Sequence, residues 1–136
     1  MSEVTVLIID ENIALRELLA RRLNAHPSFR VVAQTGNTLL GTELAWFWEP
    51  DLILVDFKAG GCRAADICRR VSRASPASRL VVFASYLTDI EERAFVEAGA
   101  AKCLLKGISF KTLAQELRGL APAKPPGPQG SGVLAG

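Results

Sequence analysis

Histidine is almost missing from this chain and cysteine is scarce. His26 is the only histidine among 136 residues, and Cys62, Cys68 and Cys103 form no Cys-x-x-Cys pair. A zinc site therefore has too few ligands, and a Ser-His or Cys-His catalytic pair has one imidazole to draw on. A disulfide framework has neither the number nor the pattern. No apolar run reaches the length of a membrane span. Met1-Ser2-Glu3 opens without a basic stretch leading into an apolar one, so no secretory leader is expected. The net charge of +2 is too small to imply nucleic-acid binding by this domain alone. No Gly-x-Gly-x-x-Gly follows a strand pattern, and no Gly-Lys-Ser/Thr loop is present, which argues against dinucleotide and nucleoside-triphosphate sites. The expectation is one globular, cytoplasmic domain with enough apolar content, 49%, for its own core.

What the chain does contain is a series of short apolar runs ending in charge. Leu52-Ile53-Leu54-Val55 runs straight into Asp56, with Gly60-Gly61 as a turn just beyond. A continuous apolar run of this length reads as a strand buried on both faces. Val4 to Ile9 repeats the pattern and ends in Asp10-Glu11. Phe29 to Gln34, Arg79 to Ala84 and Ala101 to Leu105 are three further strands, the last followed by Lys106-Gly107.

Helical periods lie between them. Asn12 can cap a helix with Leu15, Leu18, Leu19 and Leu23 inward, which stops at Pro27, leaving His26 as its C-terminal cap. Thr38 to Trp48 places Leu40, Leu44 and Phe47 on one face. Trp46 and Trp48 flank that stripe, so at least one ring should be partly exposed, either half-buried against a neighbouring helix or open to a partner. Arg63 to Ala74 turns Ala64, Ile67, Cys68 and Val71 inward and Arg63, Arg69, Arg70 and Arg73 outward, as a solvated basic face. Thr88 caps a helix with Ile90, Ala94, Phe95 and Ala98 inward and Gly99 at its end. Ser109 caps a last one with Phe110, Leu113, Leu117 and Leu120 inward. Five strands alternating with five helices make an α/β doubly wound domain with a parallel sheet. From Ala121 the composition turns to proline and glycine, so 121–136 reads as a linker or tail.

In such a sheet the strand ends gather Asp10, Glu11, Asp56 and Lys106 near a switch point, where ligands bind. Carboxylates about 5 Å apart repel by roughly 3 kcal/mol per pair at an effective dielectric near 20. They must hold a cation or a proton. Hard oxygen donors on a partly open edge suit Mg²⁺, which shares its shell with phosphoryl oxygens. The chemistry this permits is attack by Asp56 on a phosphoryl donor. An Asp-x-Asp at the first strand, the haloacid-dehalogenase pattern, is absent because Asn12 holds the third place.

Val-Thr-Val-Leu-Ile-Ile-Asp-Glu from Val4, Pro-Asp-Leu-Ile-Leu-Val-Asp from Pro50 and Glu-Ala-Gly-Ala-Ala-Lys-Cys-Leu-Leu-Lys-Gly from Glu97 stand in that order. Together they resemble the receiver domain of bacterial two-component response regulators, over about Val4 to Leu120. Lys106-Gly107 and the Glu97-Ala98-Gly99-Ala100 run look like the subfamily with LuxR-type helix-turn-helix output domains. The resemblance implies a flavodoxin-like five-stranded fold and a receiver domain over 1–120. It implies Asp56 as phosphoacceptor and Mg²⁺ held by Asp10, Glu11, Asp56 and the backbone carbonyl of Lys58, with Lys106 facing the phosphoryl group. It also implies a histidine kinase as donor, a homodimer, and DNA reached only through an output domain absent from this chain. The domain itself would be a signalling module, not an enzyme, and would not engage a membrane.

Three positions depart from the family pattern. The switch hydroxyl falls on Ala84, with Ser85 one place later. The switch aromatic falls on Cys103, which also reads as a small core residue. The Met-Pro usually found after the acceptor is replaced by Ala59-Gly60. Losing a charge-assisted hydrogen bond at position 84 is worth about 1.5–3 kcal/mol. A second reading follows from these departures: an atypical receiver acting as a phosphorylation-independent dimerisation or interaction module. A one-residue slip of the strand end could substitute Ser85, at the cost of turning the strand's side chains over.

Overall fold

The structure is a computed structural model that describes residues 3–57 and 62–121, with only the backbone of Cys62 and Arg63. The Gly60-Gly61 turn, Lys58, Ala59 and the tail from Pro122 onward lie outside the described residues. The elements alternate as the apolar runs predict: β1 (Val4–Ile9), α1 (Ile13–Ala25), β2 (Phe29–Thr35), α2 (Thr38–Trp48), β3 (Leu52–Asp56), α3 (Cys62–Ala74), β4 (Arg79–Ala84), α4 (Asp89–Glu97), β5 (Ala100–Leu105) and α5 (Phe110–Leu120). All five strands are parallel in the order β2-β1-β3-β4-β5. The chain leaves β1 toward β2 and later returns to β1's other side with β3. The switch point therefore lies between the ends of β1 and β3.

Strand alternation divides the core into two layers. Leu7, Ile9, Ile53, Val55 and Val82 pack with Cys68, Val71 and Phe95 on the α2–α3–α4 side. Val6, Ile8, Leu52, Leu54, Val81 and Phe83 pack with Leu19, Leu23, Leu113 and Leu117 on the α1–α5 side. Both faces of the sheet are covered, which is why the buried runs Val6–Ile9, Leu52–Val55 and Leu80–Ala84 of the inner strands are apolar. Among the described residues no helix is long and apolar enough to cross a membrane.

The caps follow the sequence. Asn12, Asn37, Thr88 and Ser109 each accept a backbone N–H in the first turn of their helices, and Thr88 forms a reciprocal capping box with Glu91. His26 stands at the C-cap of α1, its N–H donating to the Leu23 carbonyl. Gly99, after α4, has φ +116°. A Cβ there would also run into the Ser72 side chain on α3. Gly99→Ala is expected to lose about 1–3 kcal/mol, from the left-handed backbone and the forced separation of α3 and α4. A urea denaturation midpoint measures it.

Four inward assignments, on three helices, are corrected. On α2 the buried positions are Gly41 and Ala45, with Leu44 partly buried, while Leu40 and Phe47 face solvent. The helix approaches β1 so closely that a Cβ on Gly41 would stand 2.6 Å from Ile9 Cδ1, so only small residues fit that face. On α4, Ile90 is 80% exposed. It lies on the first turn, beyond the end of β4, and the packing face begins at Ala94 and Phe95. On α1, Leu18 is exposed and Ala20 takes its place beside Leu19 and Leu23.

Candidate functional site

Asp10 follows β1, Asp56 ends β3 and Lys106 follows β5, so three separate strands deliver their last polar residues to one edge. The Lys106 side chain must cross the end of β4 to reach β3. There its ammonium ion-pairs with Asp56 Oδ1, and it stands 3.7 Å from Asp10 Oδ2. The side chains of Asp10 and Asp56 are 4% and 5% exposed, so this is a charge cluster largely withdrawn from water. The lysine offsets the carboxylate repulsion that the sequence pattern foretells. Glu11, the next residue, is exposed. Lys58 lies outside the described residues.

Asp10 is gripped from several sides. Its N–H donates to the Thr35 carbonyl at 2.9 Å, and its Oδ1 accepts the Asn12 N–H at 2.8 Å. Its backbone carbonyl accepts a hydrogen bond from Arg16 Nη1 at 2.8 Å, while Arg16 Nε donates to Gln34 Oε1 at 3.1 Å. Gly36 leaves room for this: a Cβ there would stand 2.9 Å from Arg16 Nη1. Arg16 was not singled out as part of the site by sequence reasoning. The available signal is a cation in the first turn of α1, the end where the helix dipole disfavours it.

Burial pushes the Asp10 carboxyl above its ordinary range, and the negative charge of Asp56 adds to the rise; the Asn12 N–H and the Lys106 ammonium oppose it. With the folded value raised, the folded chain keeps a proton that the unfolded chain has already released. The metal-free protein therefore loses stability as pH rises through that range. Two such carboxylates fit a hard divalent cation, whose charge would relieve the same burial cost. Among the described residues no three His, Cys, Asp or Glu side chains stand together as a closed cage, so a cation here would keep much of its water. Asp10→Asn is expected to stabilise the metal-free chain at neutral pH and to weaken Mg²⁺ binding tenfold or more, the worth of one charge-assisted contact. Thermal melts with and without Mg²⁺ measure both effects.

The departures from the family pattern also have a structural form. Ala84 is the last residue of β4, fully buried and in register with Leu105, and its carbonyl accepts the Lys106 N–H at 2.7 Å. Ser85 stands outside the strand and is exposed, so the strand end has not slipped. Cys103 is half-buried against the core layer that holds Phe57 and Phe95. Phe95, buried as its helical spacing predicts, meets the ring of Phe57 edge-on with centroids 4.9 Å apart, and Phe57 N–H donates to the Phe83 carbonyl at 2.9 Å. The aromatic mass beneath the site thus comes from the residue after Asp56 and from α4. Burial pushes the Cys103 thiol up to about 11 and the Cys68 thiol up to about 12, so both are neutral packing groups at physiological pH.

Comparison with known proteins gives a consistent set of likenesses. Residues 6–118 match the family model of the response regulator receiver domain. The transcriptional regulatory protein LiaR of Bacillus subtilis (strain 168) is 28% identical over 122 residues, covering 90% of this chain and 58% of LiaR. The nitrate/nitrite response regulator protein NarL of Escherichia coli (strain K12) is 29% identical over 113 residues, covering 83% of this chain and 52% of NarL. The chain thus spans about half the length of these curated relatives. A two-component response regulator of the LuxR family from Aurantimonas sp. SI85-9A1 superposes with a TM-score of 0.78 at 21% identity, over 88% of this chain and 85% of that one, which shows the fold.

Proposed function

Because this chain belongs to the response regulator receiver family, we propose that its Asp56 accepts a phosphoryl group and so carries a two-component signal. The observation that carries this reading is the Lys106 ammonium held against the carboxylates of both Asp56 and Asp10 at the switch point of the sheet. In the reaction an Asp56 oxygen forms a bond to phosphorus. The donor's bond to phosphorus breaks, and the leaving group departs with its electron pair. Lys106 passes from the carboxylate to the incoming phosphoryl oxygens, a point charge on a flexible stem suited to that transfer. Asp10, Glu11, Asp56 and the Lys58 carbonyl would hold a Mg²⁺ ion, which when bound supplies positive charge to the phosphoryl oxygens. Arg16 and Asn12 hold the Asp10 backbone and carboxylate in place, and the low exposure of Asp56 limits access by water.

A histidine kinase is the proposed donor. The name of LiaR and the greater lengths of LiaR and NarL support an output domain that regulates transcription, joined through 121–136, and DNA would be reached through that domain. In this reading 1–120 is the receiver and 121–136 the tether. Incubation with acetyl phosphate and Mg²⁺ should add the mass of one phosphoryl group to the intact chain. An unchanged mass refutes the proposal.

The readout differs from the family pattern at position 84. With a buried methyl there and Ser85 outside the strand, the phosphoryl group gains no hydroxyl donor from β4. Ala84→Thr is expected to restore that donor and to shift the phosphorylated chain toward its active conformation about tenfold or more. Amide chemical shifts of α4 and β5, with and without beryllium fluoride and Mg²⁺, read this population.

A further inference from the structure

Helix α2 turns its small residues to the sheet and its large ones to water. Gly41 fits against Ile9 and Ala45 is fully buried in the core, while Leu39, Leu40, Trp46 and Phe47 are 64, 45, 69 and 68% exposed. At 3.6 residues per turn those four fall within one arc of about 120°, opposite the buried face, with Glu43 among them. Trp48, the last residue of the helix and on the flank beside Gly41, is also exposed. Single surface hydrophobics are ordinary, but a contiguous row on one three-turn helix marks an interaction surface.

The size and charge of this face point to its occupant. With about 150–250 Å² for each large aromatic, the exposed fractions amount to roughly 500 Å² of apolar surface on each copy. Two such ridges laid together cover about 1,000 Å², the threshold for a specific protein interface. Helix α2 carries Glu43, with Glu49 at its C-cap, and no basic residue. The outward face of the adjacent α3 carries Arg69, Arg70 and Arg73. Ser72 on α3 meets Gly99 after α4, so the opposite flank of α3, with Ile67, Arg70 and Ala74, faces α2. An acid in the middle of one ridge and an arginine beside it are the complement of the same pair on another copy. Two-fold packing closes such a pair as a dimer and leaves no free end to propagate.

We infer that a second copy of this chain docks on the outward face of α2, with Leu39, Leu40, Trp46 and Phe47 packed against their counterparts and Glu43 of each copy against Arg70 of the other. This interface is independent of the phosphoryl site, and its test needs neither Mg²⁺ nor a phosphodonor. In a Trp48→Phe chain the one remaining tryptophan, Trp46, lies on this face, so intrinsic fluorescence reports it. Sedimentation across the micromolar range should show a monomer–dimer equilibrium, with tryptophan emission moving to the red on dilution. Phe47→Glu, at an exposed position that leaves the fold's circular dichroism unchanged, should weaken the dimer by about thirtyfold or more. Arg70→Glu should weaken it as well, and Arg70→Glu combined with Glu43→Arg should restore it. A wild-type chain that stays monomeric overturns the inference, as does a dimer indifferent to Phe47→Glu. Failure of the charge exchange to restore association overturns the paired Glu43–Arg70 arrangement.

Discussion

Asp56→Asn should leave the chain folded and unable to take up a phosphoryl group. An amide oxygen carries no full negative charge to attack phosphorus, and the nearby acids do not replace it. Asp10 is fixed by its Asn12 contact and backbone bonds, and Glu11 is exposed to water. The fold survives because Lys106 keeps a carboxylate partner, Asp10 Oδ2 at 3.7 Å. Intact-mass spectrometry after acetyl phosphate and Mg²⁺ reads the loss, and a thermal melt checks the fold. A variant that still gains one phosphoryl mass would move the acceptor elsewhere.

Lys106→Met has the larger effect on stability. It strips the shared cation from two carboxylates that are almost fully withdrawn from water. Removing one partner from a buried ion pair costs about 3–5 kcal/mol. The Asp10 carboxyl, which Lys106 now holds down, should rise further. The sign with pH follows. As pH falls through that raised value Asp10 takes up a proton in the folded chain, the repulsion with Asp56 disappears, and the deficit against wild type shrinks. Mg²⁺ should do the same at neutral pH by supplying the missing charge, so it should raise the melting temperature of Lys106→Met more than that of the wild type. Equal rises in the two proteins would mean that the cation does not share the Asp10–Asp56 site.

Much of the fold was legible because of burial. The strands Val4–Ile9, Leu52–Asp56 and Arg79–Ala84 match their sequence-read bounds, since parallel strands covered on both faces carry long apolar runs, and helix Thr38–Trp48 matches its bounds as well. The inward face of α2 was not legible from its period. Leu39, Leu40, Phe47 and the tryptophans make nearly every side of that helix apolar, and the side that packs was chosen by size, at Gly41 and Ala45. Ile90 misled for a different reason: its spacing fits the buried stripe of α4, but it stands on the first turn of that helix, and burial begins a turn later, toward Phe95. In the site, Asp10, Asp56 and Lys106 could be read as strand-end residues. That Lys106 reaches both acids follows only from a strand order that puts β4 alone between β5 and β3. Arg16 and the Phe57–Phe95 pair act through a backbone carbonyl and a ring edge, contacts that leave no spacing pattern to find.

The account stands on Asp56 as the residue that carries phosphate, and borohydride reduction tests this at the residue itself. Acyl phosphate on an aspartate is reduced to homoserine, which peptide mass spectrometry locates. After acetyl phosphate and Mg²⁺, homoserine should be found at position 56 and nowhere else. Homoserine at position 10, or none at all in a chain that has gained the phosphoryl mass, would contradict the account.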